Sequence, residues 1–158
     1  MIRIATYDDL PRVLAVIAAG RAAMRREGNT AQWSPEGGTE ASVEEDIRRG
    51  RFYVMEDDGH IYGVFAFIIG DDPTYGYIEG AWRSDTPYGT IHRIASDGTH
   101  RGVLAECVAW AKTKIGHIRI DTHEDNRTMR AAVAREGFMP CGVIYIADGT
   151  PRLAFDLL

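Results

Sequence analysis

The stretch that most constrains the fold runs from Arg51 to Ile69. Two apolar, aromatic-rich runs, Arg51–Glu56 and His60–Ile69, flank Asp57-Asp58-Gly59. A short Asp/Gly turn between such runs predicts two antiparallel strands joined as a hairpin. A purely parallel, doubly wound sheet joins its strands through crossover helices and would lack this hairpin.

The elements around it follow from periodicity and punctuation. Ile2–Ala5 reads as an opening strand, and Asp8 as the N-cap of an amphipathic helix carrying Leu10, Val13, Leu14 and Ile17 on one face. Turn formers between Gly28 and Gly38 surround Trp33; Ser42 and Glu45 have the spacing of a capping box for a short helix ending at Gly50. Beyond Gly70-Asp71-Asp72-Pro73, Tyr75–Ile78 extends the meander, and Glu79–Tyr88 reads as a loop carrying Trp82. Two strand and helix units come next: Thr90–Ala95 with Val103–Lys114, and His117–Asp121 with Asn126–Arg135, the latter closed by Gly137. Gly142–Ile146 and Arg152–Leu157 form a final hairpin about Asp148-Gly149-Thr150. The order predicts a mixed α+β domain spanning residues 1–158 with helices on both sheet faces.

Composition narrows the function. A formal charge of -5 argues against a nucleic-acid-binding surface. Cys107 and Cys141 are too far apart for a metal-ligand spacing, so neither a disulfide framework nor a metal site is expected. Met1–Leu10 lacks a basic segment leading into an apolar run, and no stretch approaches the length of a membrane span. The expectation is a cytoplasmic protein that is neither exported nor inserted.

Chemistry concentrates between Ile91 and Val103. Gly98 and Gly102, with His100 and Arg101, stand at a helix start, where free N–H groups and the helix dipole favour an anion. The pattern is neither the Walker nor the dinucleotide motif, and a plain structural turn also accounts for its glycines. Trp33 and Trp82 in predicted loops either line an acceptor pocket or pack locally over the sheet.

Together with Ile120-Asp121-Thr122-His123-Glu124-Asp125-Asn126 and Glu136-Gly137-Phe138-Met139-Pro140-Cys141-Gly142, this turn resembles the GNAT superfamily of acyl-CoA-dependent N-acetyltransferases over nearly the whole chain. The resemblance implies a mostly antiparallel sheet of about seven strands flanked by about four helices. It implies acetyl-CoA as cofactor, a small-molecule or peptide amine as acceptor, and a homodimer among the assemblies it allows. By the same resemblance Ile94 and Ala95 offer backbone groups to the pantetheine and the developing oxyanion. Ser96, Gly98, Thr99, His100, Arg101, Gly102 and Val103 cradle the pyrophosphate, and Asn126 meets the cofactor arm. Aligned on Gly102, Thr99 stands where the family usually has Arg or Gln, and Leu104 where it has Gly or Ala. Val133 replaces the Tyr that often protonates the departing thiolate. Glu79, His92 and His123 are candidates for the base that frees the amine, and Tyr145 or Cys141 for the acid. An acyl-CoA-binding or regulatory module without turnover is the alternative, and a nucleotide-binding domain a third reading.

Overall fold

The computed structural model describes residues 1–28 and 39–158, so the expected loop around Trp33 lies outside the described residues. In chain order the elements are β1 (Ile2–Ile4), α1 (Leu10–Arg26), α2 (Thr39–Arg48), β2 (Phe52–Asp57), β3 (His60–Ile69), β4 (Glu79–Gly80), β5 (Tyr88–Ser96), α3 (Val103–Lys112), β6 (His117–Thr122), α4 (Arg127–Arg135), β7 (Met139–Tyr145) and β8 (Pro151–Leu157). Among the described residues this is a mixed α+β fold whose eight strands hydrogen-bond in the order β1-β2-β3-β5-β6-β8-β7-β4. Pairing of β5 with β6 is parallel and the other registered pairs are antiparallel. The chain forms two compact units, Met1–Phe67 with His92–Val103, and Ile68–Ile91 with Leu104–Leu158.

The first unit is built on the expected hairpin. Asp58 and Gly59 take φ of 47° and 78°, as a type I′ turn requires, and pair Asp57 with His60. Val13, Val16 and Ile17 of α1, spaced as one helical face, join Val43 and Ile47 of α2 and Phe52, Val54, Val64 and Ala66 of the strands in one buried cluster. Residues Ile61 to Phe67 are buried without interruption, the pattern of a strand covered on both faces.

Two helix starts differ from expectation. Asp8 is not the cap: Thr6, extended (φ -115°, ψ 168°), caps a 3-10 turn at Tyr7–Asp9, and Asp9 is the N-cap of α1, which begins at Leu10. The Asp9 carboxylate accepts the Thr6 N–H at 2.8 Å and both guanidinium arms of Arg3 at 2.8 and 2.9 Å, a reach that Asp8 lacks. Likewise α2 starts at Thr39, and Ser42 lies inside it. Glu45 is turned forward to Arg48 and Arg49, three and four residues on, rather than back to a cap. Gly50, at φ 68°, ends that helix as expected.

In the second unit Tyr75–Ile78 is no strand. Asp72 accepts the Thr74 N–H at 2.9 Å, which coils Pro73–Tyr75 into a 3-10 turn and buries Tyr75. The expected loop Glu79–Tyr88 instead contributes a two-residue strand, β4, which brings the sheet to eight strands rather than about seven. Glycines allow it: a Cβ on Gly142 would lie 2.0 Å from Glu79 O, and one on Gly80 2.2 Å from Cys141 O. β5 begins at Tyr88, two residues earlier than expected, because Tyr88–Thr90 pair with His117–Arg119. Leu104, Cys107, Val108 and Ala111 are buried, the apolar face expected of α3. Among the described residues no helix is long and apolar enough to cross a membrane.

Candidate functional site

In the first unit β5 departs from regular geometry at Arg93, whose φ of 53° is shared, among described non-glycine residues, only by the positive φ of Asp58. Such a conformation costs about 1–3 kcal/mol and persists where surroundings impose it. Arg93 reaches within 3.4 Å of the fully buried Asp46 carboxylate, which also takes Arg51 Nε at 2.7 Å. Ile94 and Ala95 follow Arg93 within the same strand. Ala95 itself is buried against α1, where a Cβ on Gly20 would stand 3.2 Å from its own. His92 is half-buried just ahead of the distortion.

Beyond Ser96 the chain turns about Asp97. Its Oδ1 accepts the Thr99 N–H at 2.9 Å and the Thr99 hydroxyl at 2.6 Å, while Ser96 Oγ accepts the Gly98 N–H at 3.1 Å. Gly98 and Gly102 take φ of 86° and 71°, open to glycine and strained for other residues. The amides of Arg101, Gly102, Val103 and Leu104 find no acceptor among the described residues and lead into α3 with its positive dipole end.

A carboxylate at an anion turn would repel its ligand unless neutralised. Asp97 Oδ2 accepts Arg12 Nη2 at 2.7 Å and meets His60 Nε2 at 2.9 Å. Burial pushes the Asp97 carboxyl up, but the Thr99 hydrogen bonds and His60 outweigh it and hold the group below its usual range. His100 stacks on Tyr62 with ring centroids 3.7 Å apart, its Nε2 3.3 Å from Asp57 Oδ2, and Arg101 is exposed. The turn thus offers free amides and glycines with its single carboxylate already paired, which fits a diphosphate.

In the second unit Asn126, 3% exposed, is the N-cap of α4, its Oδ1 accepting the Met129 N–H at 3.2 Å. His123 Nδ1 accepts the Asp125 N–H at 3.1 Å and so shapes the loop before that cap. Glu79 and Tyr145 meet on exposed surface, where the phenol donates to Glu79 Oε1 at 3.0 Å and is thereby held above its usual range. Cys141 is half-buried, and burial pushes its thiol up. Val133 is fully buried, so the position of the usual acid is a packing site. Trp82 packs with Tyr75 and Tyr88 and donates Nε1–H to Tyr75 O at 3.2 Å. Among the described residues no group of three or more His, Cys, Asp or Glu is placed to hold a metal ion.

Sequence reasoning passed over Arg93, Asp97, Arg12 and His60. The Asp97-Gly98-Thr99 run carried a signal, since Asp-x-Thr closes the same turn at Asp72 and Asp148. Arg12 and His60 carried none.

No protein-family model matches the chain, and no curated protein matches it. Solved structures do. An acetyltransferase of the GNAT family from Streptococcus agalactiae is 29% identical, with a TM-score of 0.88 over 100% of this chain and 94% of that one. A ribosomal-protein-alanine N-acetyltransferase from Brucella melitensis is 20% identical, with a TM-score of 0.64 over 100% and 99%. The Salmonella typhimurium acetyl transferase that modifies an N-terminal serine of a 50S ribosomal subunit protein is 17% identical, with a TM-score of 0.66 over 99% and 94%. The latter two share the fold. Element order and sheet thus define an acetyltransferase-type α+β fold. In fold the chain is similar to acetyltransferases of the GNAT family.

Proposed function

We propose that the protein is an N-acetyltransferase that moves an acetyl group from acetyl-CoA to a primary amine of a small molecule or peptide. The observation that carries this reading is the run of unpartnered amides from Arg101 to Leu104 at the start of α3, after a strand that holds Arg93 at positive φ, in a GNAT-like fold. Bound acetyl-CoA would supply a thioester carbonyl. Gly98 to Val103 would hold its pyrophosphate through main-chain N–H groups. Ile94 or Ala95 N–H would donate to the carbonyl oxygen as charge develops there, a contribution of roughly 3 kcal/mol.

The amine must lose a proton before it attacks. Of Glu79, His92 and His123, we take His92 as the base because it immediately precedes Arg93, the positive-φ residue of β5. The C–N bond forms, the C–S bond breaks, and the thiolate leaves. Tyr145 donates to Glu79 and burial makes the Cys141 thiol a weaker acid, so thiolate departure without an acid on this chain is the simplest course.

The test is thermal stabilisation by acetyl-CoA against CoA, NAD and ATP, followed by thiol release with an amine panel. At 100 times its dissociation constant acetyl-CoA should stabilise by about 2.7 kcal/mol. His92→Ala should slow turnover about 100-fold with cofactor binding intact. Stabilisation by NAD and not by CoA would overturn the reading. Val133 at the acid position supports a second reading, a CoA-binding module without turnover; stabilisation with no thiol release would favour it.

A further inference from the structure

Arg119 of β6 is 6% exposed, its guanidinium carbon 4.0 Å from the Trp82 ring centroid and 3.8 Å from that of Tyr88. Its Nη2 donates to Ser84 O at 3.1 Å. Among the described residues no carboxylate lies within ion-pair distance of it. Aromatic faces attract a cation and do not neutralise it, and an uncompensated buried charge is costly. The carboxylate opposite it in register, Asp156, is already taken: Arg83 donates to it from Nε and from its backbone N–H, the latter at 3.0 Å, and His117 Nε2 lies 3.4 Å away. Asp121, two residues along β6, accepts the Tyr75 hydroxyl at 2.6 Å. Arg83 therefore takes the carboxylate that faces Arg119 in register, and Arg119 is left without an ion pair.

Two buried polar atoms on paired residues complete the picture. Arg119 Nε and Thr90 Oγ1 make no hydrogen bond, and Thr90, fully buried, is the register partner of Arg119 in the parallel pair, so both side chains leave the same face of the sheet. An N–H and an O–H without acceptors, next to an unpaired positive charge, describe one ligand chemistry. We propose that Arg119 Nε and the Thr90 hydroxyl hold a small monovalent anion, a halide or a carboxylate, on the buried face of β5 and β6. The site is argued without the acyl-transfer reading and stands or falls apart from it.

The test is the thermal midpoint of the full chain at constant ionic strength in sodium chloride, sodium acetate and sodium gluconate, the last too large to enter. Chloride or acetate at 0.2 M should raise the midpoint by about 4 °C over gluconate. Thr90→Val, which keeps the shape and removes the hydroxyl, should lose at least half of that shift, and Arg119→Met all of it. Whichever anion acts identifies the source, and in crystals soaked in bromide an anomalous peak should stand beside Arg119 Nε. Equal midpoints in all three salts, an undiminished shift in Thr90→Val, or a water and no bromide at that point would each overturn the proposal.

Discussion

At Asp97 a carboxylate stands within a turn suited to anions, and its surroundings explain why it is tolerated. Oδ1 shapes the turn through Thr99, and Oδ2 is covered by Arg12 and His60. The folded-state value of this group is depressed, so its contribution to stability is present above the unfolded carboxyl value of about 3.9 and is lost as pH falls through the lower folded value. Asp97→Asn should cost about 1–3 kcal/mol at pH 7, because it removes a charge from three bonded partners. Denaturant titrations of both proteins at pH 7 and pH 3 should show the gap narrowing at the lower pH. A gap unchanged at pH 3 would mean that the carboxyl carries no depressed titration.

Among elements, β4 is the one held by the narrowest steric margin. Its two residues pair with Val143 and Gly142, and the backbones come so close that neither glycine admits a Cβ. Gly80 and Gly142 also lie at φ 128° and 147°, where other residues are strained. Gly142→Ala should cost about 2 kcal/mol or more and detach β4. The readout is amide exchange at Ala81, whose N–H donates to Cys141 O at 3.0 Å and should lose protection while β6 and β8 keep theirs. Unaltered protection at Ala81 would show that the edge yields without breaking. The same strand was invisible in the sequence: Glu79 to Tyr88 has no run of β-formers, and two residues become a strand only because a neighbour presents a matching edge. The Arg51 to Ile69 hairpin was fully legible, since alternation, aromatics and a turn that demands positive φ all lie within nineteen consecutive positions.

At the scale of the whole molecule, the two thiols report on cohesion. Cys107 is fully buried in α3 and its thiol is pushed up by burial and Glu106; Cys141 is half-buried. A thiol reagent should modify Cys141 first, and Cys107 at least about 1000-fold more slowly, at the rate of global opening. Equal rates would mean that α3 opens locally. The sequence by itself determined the hairpin, the apolar faces of α1 and α3, and the glycine turn into α3, because each depends on residues within a few positions of one another. It also carried enough of the GNAT pattern, from Asp121 to Gly142, to suggest the family. Tertiary structure alone decided which charges meet. Arg12 and His60 reach Asp97 across 85 and 37 residues, Arg83 takes Asp156 across 73, and Arg119 is left without a carboxylate. Pairing between distant side chains depends on sheet register and on which carboxylate another cation reaches first, and neither leaves a mark on the local sequence.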